Sequence, residues 1–176
     1  MPLSVPFGQC MSKDRTAPHW SCACHCEVWF CVMLTLIINA AATWAMVGLI
    51  WLIQLVHYPL MAYVSQGFGA FHQAHAWRIS WLVGPLMGLE LATSLALLSV
   101  RPAGVPAWSS QLGLVLVLVC WGVTAVFSVP AHSRLSAGRD KAALGFLVKT
   151  NWLRTAAWST RGILVAWMLL RATAKA

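Results

Sequence analysis

The chain has 176 residues, of which 60% are hydrophobic and only 9% are charged. A soluble domain carries roughly 25% charged residues, so this composition excludes an ordinary water-covered surface. The formal charge is +8. No Walker loop, dinucleotide fingerprint or nucleic-acid motif accompanies it, and it reads as topology signal and contact with anionic lipid, with no nucleic-acid partner.

In a bilayer every backbone polar group must be satisfied internally, which leaves helices or a closed barrel. Barrel strands alternate over about ten residues. The apolar runs here are continuous and about 20 residues long, the length of a helix crossing a core of about 30 Å. The predicted fold is an all-α membrane protein. It is a four-transmembrane-helix bundle with an amphipathic interfacial helix between spans one and two, multi-pass in the bacterial inner membrane.

Residues 1–32 differ in character from the rest. Cys10, Cys22, Cys24, Cys26 and Cys31 lie there, and only Cys120 lies beyond. Three readings stay open. Met33 is the true start and the upstream residues are a non-native extension, or they form a disordered or extracytoplasmic tail, or Cys22-Ala23-Cys24-His25-Cys26 binds a soft metal. The spacing of that motif is not the C-x2-C of a zinc site. Lys13 and Arg15 could serve a signal peptide, but no small-residue cleavage pattern follows before the apolar run becomes a full span. Residues 33–176 are expected to form one domain.

Span one is expected from Met33 to Val56, closed by His57-Tyr58-Pro59, because proline disfavours helix in the residue before it. Residues 60–78 are less apolar, carrying Gln66, His72, Gln73, His75 and Arg78 among Phe68, Phe71 and Trp77, and suit the interface. Span two is expected from Ile79 to Val100, with Pro85 and Glu90 inside it. A turn at Arg101–Pro106 follows. Span three is expected from Trp108 to Val129. A basic loop over 130–150 holds His132, Arg134, Arg139, Asp140, Lys141 and Lys149. Span four is expected from Asn151 to Leu170. No sequence repeat stands out. Parity places segments 57–78 and 130–150 on one side of the membrane. The balance of Lys and Arg makes that side cytoplasmic. Most of the tryptophans read as interfacial anchors or packing.

Ionisable groups inside lipid mark a structural pair or a functional site. Glu90 and Arg161 each lie about 15–17 Å from the histidine side at 1.5 Å per residue. They therefore meet at one level with opposite charge, and a buried ion pair is expected. In span four Asn151, Arg154, Trp158, Arg161 and Val165 follow helical spacing, with Thr155 alongside. This polar stripe of Asn151, Arg154, Thr155 and Arg161 must face the bundle interior. His57, His72, His75 and His132 share one side of the membrane. They are candidate metal ligands, candidate acid–base groups, or interfacial residues bonded to loops and lipid. A carboxylate-bridged di-iron site is excluded, since only Glu90 and Asp140 are acidic beyond Met33 and such sites usually need four carboxylates.

The pattern His57-Tyr58-Pro59, Phe71-His72-x-x-His75-x-x-Arg78-Ile79, Pro85, Glu90, Val129-Pro130-x-His132 and Asn151-Trp152-x-Arg154-Thr155 resembles small four-helix bacterial membrane proteins. More distantly it resembles the DUF1772, or anthrone-oxygenase-like, family. The resemblance is strongest over the last 40 or so residues before and within span four. It implies a membrane-embedded four-helix fold and oxidation of aromatic polyketides.

Two functional expectations follow. One is a membrane-embedded enzyme acting on a lipophilic substrate by a redox or isomerisation step. His72, His75 and His132 would be acid–base groups or ligands, and Arg154 and Arg161 would hold developing negative charge. The residues name no particular cofactor, and a metal or haem held by these histidines stays open. The other is a non-catalytic subunit or scaffold, as a homo-oligomer or within a larger membrane complex. A transporter is less compatible with so short a chain. A single pocket lined by His72, His75, His132, Asn151 and Arg154 would favour the enzyme. Complete pairing of the buried polar groups with no cavity would favour the scaffold.

Overall fold

The computed structural model describes residues 19–174, with side chains from residue 27. All its regular structure is helical, and no strand occurs among the described residues. The elements are α1 (His19–Leu52), α2 (Tyr58–Met61), α3 (Phe68–Ser99), α4 (Ala107–Val123), α5 (Val129–Ala137) and α6 (Lys141–Thr173). One π-helical turn, Ile53–His57, joins α1 to α2, and another, Thr124–Ser128, joins α4 to α5. The helices Glu27–Met61, Phe68–Ser99 and Ala107–Ala137 are long and apolar enough to cross a membrane. This is compatible with an integral membrane protein.

Helix α1 runs without a break through the boundary expected at Met33. Val32 and Met33 are both buried, and Trp29 packs against the cluster formed by Met33, Leu36, Val165 and Met168. The side chains of the Cys22–Cys26 motif, and Cys10, lie outside the described residues.

The expected interfacial helix over 60–78 is not a separate element. Residues 62–67 turn, and residues 68–78 are the first three turns of the 32-residue helix α3. Two features explain the difference. Gly67, at φ 64°, turns the chain and opens α3 directly at Phe68. The polar side chain of His72, which argued for an exposed helix, is instead fully buried against α5. At the same end, Asp140 caps α6 by accepting from the backbone N–H of Ala142 and Ala143 at 2.9 and 3.0 Å. Arg139 donates to the carbonyl of Ala62 at 2.7 Å and ties the two turns together.

The π turns share a cause. A proline follows each one, Pro59 after Tyr58 and Pro130 after Val129, and proline offers no N–H to the preceding turn. The helix absorbs the missing donor by lengthening its hydrogen-bond register: Tyr58 N–H reaches the carbonyl of Ile53, and Val129 N–H that of Thr124.

These two turns expose an internal repeat that residue identity hides. Thr124–Ser128 lies 71 residues after Ile53–His57, and Pro130 lies 71 after Pro59. Arg161 also lies 71 after Glu90. Each half is a hairpin of one proline-broken helix and one continuous helix. The four rods close a ring, with α1 and α4 each packed against both α3 and α6.

Candidate functional site

The stripe expected on the last helix does face inward: Asn151, Arg154, Thr155, Trp158, Arg161 and Val165 are all buried on α6. It feeds two different environments.

The deeper one is the ion pair. Arg161 Nε donates to Glu90 Oε1 at 2.7 Å, and both side chains are 1% exposed. The carboxylate also accepts from Thr43 Oγ1 at 2.8 Å and from Trp158 Nε1 at 3.0 Å. The rest of the guanidinium donates to Ser94 Oγ at 2.7 Å, to Asn39 Oδ1 at 3.1 Å and to the carbonyl of Gly113. Asn39 then bonds to Thr93 Oγ1 at 2.7 Å. Residues from α1, α3, α4 and α6 thus converge on one charge pair. Gly113 is small for a reason, since a Cβ there would lie 3.0 Å from the guanidinium. The sequence did not single out Asn39, Thr43, Ser94 and Gly113 as partners, because their chemistry emerges only once four helices meet. Both charges are neutralised and hydrogen-bonded, which is the condition under which a buried pair is tolerated.

The second environment lies nearer the histidines. His72, fully buried, bonds through Nδ1 to Ser136 Oγ at 3.0 Å and through Nε2 to His132 Nδ1 at 3.0 Å. A bond between two ring nitrogens needs one donor and one acceptor. While it holds, the pair carries at most one imidazolium. His57 stacks on His75 with ring centroids 3.9 Å apart. The four histidines are therefore neighbours, a closer arrangement than the shared side that parity gave them. Their nitrogens do not point at a common centre, however: among the described residues no group of three His, Cys, Asp or Glu side chains has the geometry to hold a metal ion. Two of them are engaged with each other, and two lie ring against ring.

Beside them opens a cavity of about 410 Å³, between α3 and the third rod, with Tyr58 and Arg154 at its inner wall. Its size is within the ~300–1,000 Å³ of ordinary small-molecule sites. His75 and His132 line it, whereas His57 and His72 stand behind them. Of the five residues whose common pocket would favour an enzyme, His75, His132 and Arg154 line this one, and His72 and Asn151 do not. The Asn151 side-chain N–H donates to Gln54 Oε1 at 2.7 Å on the opposite face of the ring. The remaining wall is apolar or small: Ile79, Val83 and Met87 with Ala76, Ser80 and Gly84 from α3, facing Trp121, Thr124, Ala125 and Ser128. Trp121, Ser80, Gly84 and Val129 are exposed at its edge, so the cavity opens sideways, onto the apolar flank of the molecule.

The internal repeat relates this cavity to a filled cleft between α1 and α6. In the first half of the π-turn pair, the cleft is filled by Gln54 against Asn151, with Thr155 and Trp158 further up. The positions 71 residues away are Ala125, Ser80, Gly84 and Met87. Smaller side chains at equivalent places leave unfilled the volume that amides and an indole occupy opposite. The four-residue spacing of Ala76, Ser80 and Gly84 was the available sequence signal for this close-packed or hollow face.

The site is thus a polar-headed cavity in a helical bundle, open on its apolar flank. Comparison with protein-family models, with curated proteins and with solved structures finds no match. The resemblance to the anthrone-oxygenase-like family gains no support from it.

Proposed function

We propose that this is a four-span membrane enzyme that performs acid–base chemistry, an isomerisation by proton transfer, on a lipophilic substrate entering from the bilayer. One observation carries the reading. The hydrogen-bond chain Ser136–His72–His132 begins at the partly exposed end of α5 and ends on the apolar cavity. Such a chain moves a proton between water and a site that lipid keeps dry. His132 Nε2 is the nitrogen left for the substrate, His75 is the second imidazole within the wall, and Arg154 grips a polar oxygen. General acid–base catalysis of this kind contributes typically 10²–10⁴-fold.

Helix α6 is the fourth crossing in this reading. Its hydropathy is lowered by Arg154 and Arg161, both buried inside the ring, while Leu153, Ile163 and Leu170 are exposed on its outer face. Helices of 32 and 33 residues span about 48–50 Å, more than a core of about 30 Å. The exposed Trp51, Trp77, Trp81 and Trp152 suit one interface, and Trp108 with Trp167 the other. The histidines then lie at head-group level, and the cavity reaches from there into the leaflet. Single cysteines at Gln73 and Ser133, both exposed, are expected to react with a membrane-impermeant maleimide from the same side. Reaction from opposite sides would end the four-span topology.

The chemistry is testable without a named substrate. Membranes holding the protein are mixed with the host's lipid-soluble extract in deuterium oxide. At least one apolar compound is expected to gain carbon-bound deuterium about 100-fold faster than with His132→Gln or with Gly84→Leu, which fills the cavity. Identical labelling by all three proteins would sink the enzymatic reading. The scaffold reading draws on the Glu90–Arg161 network, which is self-satisfied and spans all four rods. It accounts for that pair and leaves the cavity without a role.

A further inference from the structure

Arg154 is 5% exposed and has no carboxylate partner among the described residues. The described acids are accounted for. Glu90 is held by Arg161, Asp140 caps α6, and Glu27 is at the far end of the first rod. The guanidinium is instead held by neutral groups: Nη1 donates to Ser128 Oγ at 3.1 Å, and Cζ sits 5.2 Å above the Trp158 ring. Its Nε is buried without any hydrogen-bond partner. A cation so placed is costly unless something neutralises it. The contrast with Arg161, seven residues on and fully paired, shows that this fold supplies a counter-charge where the charge is structural.

The missing counter-charge has a place to sit, because Arg154 lines the cavity. The opening is lateral, and the walls beyond the head are Ile79, Val83, Met87 and Trp121. We infer that the cavity takes an amphipathic monoanion, its carboxylate held by Arg154 and its hydrocarbon chain lying along α3 toward the lipid. The inference rests on the cavity being the ligand site proposed above, not on the reaction proposed there. One guanidinium matches one negative charge. Its planar fork suits a carboxylate, and charge-assisted bonds of this kind are about twice as strong as neutral ones. The adjacent Ser128 hydroxyl, supplied by the second π turn, holds the guanidinium in place.

The probe is dibromostearic acid, whose bromines quench tryptophan, against its methyl ester, which has the same chain and no charge. The full chain is used in detergent micelles. The signal is the quenching of Trp121, taken as the difference between the parent protein and Trp121→Phe. The acid is expected to quench at about tenfold lower concentration than the ester, a preference worth about one charge-assisted bond. Arg154→Met is expected to remove the preference, and Arg154→Lys to keep part of it. Arg134→Gln, on the exposed basic surface, should leave it unchanged. If Arg154→Met does not fold, the neutral, hydrogen-bonding Arg154→Gln serves instead and should also remove the preference, while Gly84→Leu, whose Cβ meets nothing within 4 Å beyond its chain neighbours, should lower quenching by acid and ester alike. Equal quenching by acid and ester, or a preference that survives Arg154→Met, overturns the inference. Identical deuterium labelling by the parent, His132→Gln and Gly84→Leu in the preceding experiment, with acid binding intact, would sink the reaction and leave this assignment standing.

Discussion

Replacing Glu90 by glutamine is expected to lower the thermal stability of the detergent-solubilised protein by about 3–5 kcal/mol, and Arg161→Gln by a similar amount. Each single change leaves one charge buried among neutral dipoles. The double substitution should recover part of the loss, because two uncharged amides can share the same partners: Thr43, Ser94, Asn39 and the carbonyl of Gly113. The measurement is a thermal-unfolding double-mutant cycle. Strictly additive losses would show that the 2.7 Å contact carries no coupling. Stable single variants with no function would make the pair a working site and not a strut.

Trp158 gives the second large effect. It is fully buried and the bulkiest of the side chains that are, so Trp158→Ala is expected to cost about 3–5 kcal/mol. Trp158→Phe keeps most of the volume and removes only the N–H that reaches Glu90 Oε2 at 3.0 Å. Its expected cost is about 1.5–3 kcal/mol, the value of a hydrogen bond to a charged group. The two contributions separate in the Glu90→Gln background. There Trp158→Ala stays costly, while the penalty of Trp158→Phe falls toward that of a neutral bond. An undiminished Trp158→Phe penalty would mean that ring packing, not the carboxylate, sets the cost.

Much of this architecture was legible from hydropathy and helix geometry. Glu90 and Arg161 could be paired by counting residues from one membrane face, because a helix converts sequence position into depth at a fixed rise. The inward stripe on α6 followed from spacing for the same reason. The bond between His72 and His132 was less accessible: parity put the two on one side but could not say that α3 and α5 touch there. The interfacial helix is not a separate element because residues 68–78 run on into α3. Gln66, Gln73 and Arg78 are exposed as their polarity suggests, and His72 alone among these polar residues is fully buried, by a specific partner. The cavity was hidden for another reason. A void is made by atoms that are missing, and Ala76, Ser80, Gly84 and Ala125 look like ordinary small residues until the rods are set side by side. The repeat was missed because its two copies share geometry and almost no side chains.

That repeat has a consequence for assembly. Glu90 and Arg161 occupy equivalent places in the two hairpins. Two copies of the first hairpin would set glutamate against glutamate inside the bundle, and two copies of the second would set arginine against arginine. Either mismatch buries two like charges without a counter-charge. Each half therefore recognises its complement and rejects its own likeness. The buried charges therefore favour a first hairpin packed on a second over two hairpins of either kind.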